Sequence, residues 1–145
     1  MELLIVIAII GLLASVVLLR YPFTIERVKD SRVISDLSQF RTQAGILYTA
    51  SNESYQEVAN CSIISSVCYC ADPDLDALCK DAQDYSDQDL VIFVNSDLKG
   101  YCIFAHLQDY DEYYCIDGAG HIKRYAAFPA FCTAACSASD SCRCE

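Results

Sequence analysis

The sequence predicts an α+β fold, with a long N-terminal helix packed on a small antiparallel β-sheet of about four strands. Disulfide-stapled loops and a cysteine-rich C-terminal tail complete it. Three observations predict this. Leu3 to Leu19 is an unbroken apolar run in which Ser15 is the only polar side chain. Val33, Leu37, Phe40, Ala44 and Leu47 then recur at spacings of four, three, four and three, the stripe of an amphipathic helix. After residue 89, four short segments rich in β-branched and aromatic residues alternate with turn-forming residues.

As a helix, the 17 residues of the first run span roughly 25 Å, close to the hydrocarbon thickness of a bilayer. The run is apolar on every side, so it is expected to be covered all round, either by a membrane or by a bundle of identical helices. A cleaved signal-peptide core is the plainer alternative, but such cores are about 7–15 residues long and follow a basic segment. Pro22 lacks a backbone donor and is expected to kink or loosen the helix there. Three parts are expected: an apolar helix at 1–22, its amphipathic continuation at 23–53, and a cysteine-rich head at 54–145.

Within the head, residues 55–89 read as an irregular loop. The strands are expected at 90–94, 101–105, 113–116 and 122–125, a meander over about 90–126. A two-residue turn at Gln108-Asp109 would set Cys102 opposite Cys115, and these two are the expected disulfide pair. The tail, 127–145, consists of small polar residues and cannot build a core, so its order has to come from bridges.

Ten basic side chains oppose twenty acidic ones, and residues 42–145 hold five against sixteen, a net −11. An acidic head does not invite nucleic acid, and no specific nucleic-acid partner is inferred. Cys61, Cys68, Cys70, Cys79, Cys102, Cys115, Cys132, Cys136, Cys142 and Cys144 make about 7% of the chain. That density marks an oxidising compartment and a disulfide framework. Arg20, Arg27, Lys29 and Arg32 follow the rod and argue for a cytoplasmic flank; the cysteines argue for an outside head and are given the greater weight.

Other chemistry finds little support. Asp72, Asp74, Asp76, Asp81, Asp84, Asp87 and Asp89 are candidate Ca²⁺ ligands, but the EF-hand order is absent and acidic loops are usually solvated. Cys68-x-Cys70, Cys132-x₃-Cys136 and Cys142-x-Cys144 with His106 or His121 lack the paired spacing of a zinc site. No Cys-x-x-Cys-His, nucleophile motif or phosphate loop occurs, so neither catalysis nor a cofactor is expected. Asn52-Glu-Ser54 and Asn60-Cys-Ser62 match the N-glycosylation pattern without the acidic residue that bacterial transfer favours. Tyr110, Tyr113 and Tyr114 read first as sheet packing, then as subunit contacts.

The stretch Glu2-Leu-Leu-Ile-Val-Ile-Ala-Ile-Ile-Gly-Leu-Leu-Ala14 resembles the N-terminal signature of bacterial type IV pilins and the related pseudopilins of type II secretion. The resemblance covers about the first third of the chain. It implies a structural subunit of an extracellular pilus, a helical homopolymer whose core is the bundled N-terminal helices. Leu3, Ile5, Ile7, Ile9, Ile10, Leu12, Leu13, Val16 and Val17 would form that core. It also implies an inner-membrane precursor, a prepilin peptidase and the type IV pilus assembly machinery as partners. Met1 would be the N-methylated first residue, and Glu2 the carboxylate that meets a neighbour's amine. Only Met1 precedes Glu2, where the family usually has four residues, so a start inside the mature sequence or unusual processing is expected. The resemblance also implies a head built as a helix on a sheet, and a disulfide-tied C-terminal loop. A type II secretion pseudopilin and a membrane-anchored extracytoplasmic binding domain that never polymerises are the alternatives. Adhesion, twitching, DNA uptake and electron transfer are not separable from the residues.

Overall fold

A computed structural model of the chain describes residues 2–109, 111–129 and 142–144; at positions 2 and 18–23 it describes the backbone alone. Helix α1 runs from Glu2 to Ala50, 49 residues, and continues through position 22. It ends where Asn52 and Glu53 take left-handed backbone angles, φ 54° and 57°, which no α-helix accommodates. The α+β architecture is as expected: a long helix against an antiparallel sheet, with disulfides in the head.

Strands β3 (Val91–Val94), β4 (Tyr101–Leu107), β5 (Glu112–Asp117) and β6 (Ile122–Tyr125) form the sheet in the order β3-β4-β5-β6. Alternation along β4 sends Tyr101, Ile103, Ala105 and Leu107 toward α1, where they join Val33, Leu37, Phe40 and Ala44 in one buried core. The predicted helical stripe is that core's other wall. The opposite face of the sheet is covered too. Cys102, Phe104 and Cys115 pack there with Cys142 and Cys144, flanked by Phe93, Tyr125 and Phe128. Every residue of β4 is therefore buried, rather than every second one.

Residues 55–89 are not an irregular loop. They form a short helix α2 (Gln56–Ala59), a hairpin of β1 (Ser62–Ile64) and β2 (Val67–Tyr69), and helix α3 (Pro73–Tyr85). Asp72 caps α3 by accepting from the N–H groups of Asp74 and Leu75 at 3.1 and 2.9 Å, with Pro73 in the first turn. Leu75, Cys79 and Ala82, four and three residues apart, are its buried stripe against α1.

The β4–β5 register differs from the expected one. Leu107 pairs with Glu112, leaving four residues between the strands instead of two, so Cys115 faces Phe104 and Cys102 faces Asp117. The cause is on α1. The buried carboxylate of Asp30 accepts from the backbone N–H groups of Gln108 and Asp109, at 2.8 and 2.9 Å, and holds a wider loop open. Asp111, at φ 51°, closes it.

Candidate assembly surface

The described part of the predicted rod, residues 3–17, lies bare. Leucine and alanine favour the helix over residues 3–17 against the weaker propensity of the β-branched isoleucines and valines, and Ser15 returns its hydroxyl to the Leu12 carbonyl at 2.7 Å. Gly11 has open space where a side chain would stand. Eleven large apolar side chains, Leu3 through Val17, are each 53–77% exposed. They include all nine predicted core-helix residues. No other described residue covers them. Leu4, Ile5, Ala8, Ile9, Leu12 and Leu13 line a shallow apolar groove along one side of the rod. Glu2 begins α1, but its side chain, like Met1, lies outside the described residues.

Among the described residues, no helix is long and apolar enough to cross a membrane. This corrects the expectation of a transmembrane helix for the described part of the rod.

Below the rod, polar contacts lock the head to α1. Beyond the Asp30 contact, Arg27 pairs with Asp109 at 3.1 Å, and Arg32 reaches Asp81 on α3 at 2.6 Å and Asp36 at 3.5 Å. Asp36 is buried, and desolvation together with the nearby Asp81 carboxylate pushes its pKa up to about 6, against the pull of Arg32. Burial also raises the phenol of Tyr101, which packs against Phe40 and Tyr55. The head thus holds the second half of α1 while the first half projects.

Three disulfides are formed among the described residues: Cys61–Cys70, Cys68–Cys79 and Cys115–Cys144. The expected Cys102–Cys115 bridge is not made, because the register moves Cys115 two residues along and its sulfur meets the returning tail. Cys102 and Cys142 are buried in the same cluster, and Cys132 and Cys136 lie outside the described residues. Each such bridge is worth about 3 kcal/mol, more for the longer loop of Cys115–Cys144.

The acidic residues proposed for calcium do not converge. Asp72 caps α3, Asp76 accepts from Cys70 N–H and pairs with Lys80, Asp81 pairs with Arg32, and Asp89 accepts from Gln83. His106 is packed, its Nε2 3.0 Å from Asp111, and His121 is half-exposed beside Asp117 at 2.8 Å. Tyr114 is buried in the sheet core, while Tyr113 packs on His106 and Phe128 and donates its hydroxyl to Gln88. Tyr110 lies outside the described residues.

The sequence does not mark Asp30, Asp36 and Asp117 as structural carboxylates, since isolated acids on a charged helix, or at a strand end beside a glycine turn, look solvated. Reading residues 55–89 as a loop also missed α3, although Asp72-Pro73 followed by Leu75, Leu78, Cys79 and Ala82 carries both its start signal and its stripe. The chain matches no protein-family model, no curated protein and no solved structure.

Proposed function

We propose that this chain is a structural subunit of an extracellular type IV pilus, polymerising through its N-terminal helices. One observation carries the reading: a continuous helix whose first half exposes eleven large apolar side chains that no other described residue covers. Monomeric proteins rarely leave so extended an apolar surface open. A bundle of identical rods covers it on all sides, with burial worth about 25 cal/mol per Å². The N-terminal resemblance agrees with this, as does a head with an oxidised sulfur framework, suited to a surface filament.

In this reading subunits wait in the inner membrane, are processed by a prepilin peptidase and are extracted by the pilus assembly machinery. Glu2 acts as a register check. A carboxylate inside an apolar bundle is costly unless paired, so it favours the position where a neighbour's N-terminal amine meets it. The same exposed rod would also serve a short pseudopilin filament, the nearer alternative, or a membrane-anchored domain that does not polymerise. Electron microscopy of the sheared cell-surface fraction, with mass spectrometry of its subunits, tests the reading. Long uniform filaments containing this chain are expected. Retention in the membrane pellet, with none in the sheared fraction, would transfer the assignment to the anchor or the pseudopilin.

A further inference from the structure

The sulfurs of Cys68, Cys70 and Cys79 lie within 4.8 Å of one another, and Cys61 is bonded to Cys70. Three sulfurs thus converge where the β1–β2 hairpin meets α3, and a fourth, that of Cys61, is bonded to one of them. The Cys68–Cys79 contact is itself a bond, but neither bridge requires Cys70 to approach that pair. A tetrahedral site does need it: four thiolates at about 2.3 Å from a zinc ion sit about 3.8 Å from each other.

We propose that these four cysteines form a redox-controlled site for one thiophilic divalent ion, Zn²⁺ above all, filled when the two bridges are reduced and closed when they are oxidised. The elements that bring the sulfurs together do not depend on the bridges alone. Cys68 lies on β2, paired opposite Ile63 of β1, and Cys79 lies on the buried stripe of α3 among Leu75 and Ala82. Cys70 is oriented by its N–H, which donates to Asp76 at 2.9 Å, a carboxylate itself tied to Lys80. Cys68 and Cys79 are sealed from solvent, while Cys61 and Cys70 are only part-buried and provide the way in for reductant and metal.

The exchange balances with a dithiol as reductant. Two dithiols give up four electrons and become two disulfides, and the protein's two S–S bonds open to four thiols. The ion then displaces four protons and takes four thiolates, leaving a dianionic centre. Oxidation by a disulfide donor runs the same steps backward and releases the ion. The site lies wholly within the head and is independent of whether the rods polymerise.

The test uses the full chain, reduced with a phosphine without air, with and without one equivalent of Zn²⁺, followed by a brief pulse of alkylating reagent. Peptide mass spectrometry then reads each cysteine. Cys61, Cys68, Cys70 and Cys79 are expected to alkylate at least tenfold more slowly with zinc, while Cys115 and Cys144 are unaffected. Co²⁺ should give the visible absorption of a tetrahedral tetrathiolate, kept in a Cys115→Ser/Cys144→Ser variant and lost in Cys68→Ser/Cys79→Ser. Equal alkylation with and without zinc, protection of a different set, or equal Co²⁺ binding by the oxidised chain would each overturn the proposal.

Discussion

The carboxylate of Asp117, wholly buried at the end of β5, accepts the backbone N–H of Cys144 at 3.0 Å. The same side chain accepts from the backbone N–H of His121 at 2.8 Å and lies 2.8 Å from the His121 ring. One buried side chain therefore fastens the β5–β6 turn and the returning tail together, next to the Cys115–Cys144 bridge. Beside it, Gly118 leaves no room for a side chain, since a Cβ there would stand 2.8 Å from the Tyr55 hydroxyl and 3.0 Å from the Tyr101 ring. Asp117→Ala leaves the buried N–H of Cys144 and the part-buried N–H of His121 without an acceptor and is expected to cost about 2 kcal/mol. Asp117→Asn, which keeps one carbonyl acceptor, should cost less. Urea denaturation of both variants checks this, and an unchanged midpoint for the alanine variant would remove Asp117 as the fastening point.

Asp30 has the corresponding role at the other end of the sheet. Its two oxygens take the N–H groups of Gln108 and Asp109, so a single residue of α1 sets the loop that fixes the β4–β5 register. Asp30→Ala is expected to lose about 2 kcal/mol and to raise amide exchange at residues 108 and 109 before any other part of the sheet. Uniform loosening of the whole head, with no preference for this loop, would count against the assignment.

The helical stripe and the four strands could be read from the sequence because their spacing follows directly from the 3.6 and 2 residue periods. Val33, Leu37, Phe40 and Ala44 lie on the core wall where the periodicity puts them. What escaped depended on contacts between distant residues. Asp30 and the loop at Gln108 are 78 positions apart, and no local rule says that a helix carboxylate will open a two-residue turn into four. The Cys115–Cys144 bridge follows from that same shift. α3 was a different kind of miss, since its acids suggested metal ligands while its apolar residues, four and three apart, described a buried face. As for the candidate surface, its residues were legible individually, but their exposure came only from seeing that the head stops short of them.

Asp36 gives the head a pH dependence with a definite sign. Its folded-state pKa is raised to about 6 from an ordinary 3.8, so between these values the folded chain keeps a proton that the unfolded chain has released. This contribution to stability is present at low pH, declines as pH rises from about 4 to 6, and is absent above. Asp36→Asn has nothing to ionise, and Arg32 keeps Asp81 as its partner. The variant is expected to gain stability relative to the parent at about pH 7.5 and to show little difference at about pH 3.5. Denaturation midpoints at the two values decide it; an equal difference at both would mean that Asp36 does not titrate in this window.

Ile9 separates folding from assembly. It is 56% exposed on the rod, far from the buried wall that begins at Val33, and lines the shallow groove with Leu4, Ile5, Ala8, Leu12 and Leu13. A charge at position 9 meets only solvent in the isolated chain, so Ile9→Asp should leave the head's stability within about 0.5 kcal/mol of the parent. In a bundle of rods the same carboxylate would be buried without a partner, at a cost of several kcal/mol for each subunit. Loss of filaments from the sheared fraction, with an unchanged urea midpoint, is therefore the expected outcome. Phe40→Ala provides the contrast: it empties the fully buried wall of the head and should cost about 3–5 kcal/mol in that same midpoint. Abundant normal filaments from the Ile9→Asp chain would show that this face of the rod is not covered by a neighbour, and the proposed packing would have to be abandoned.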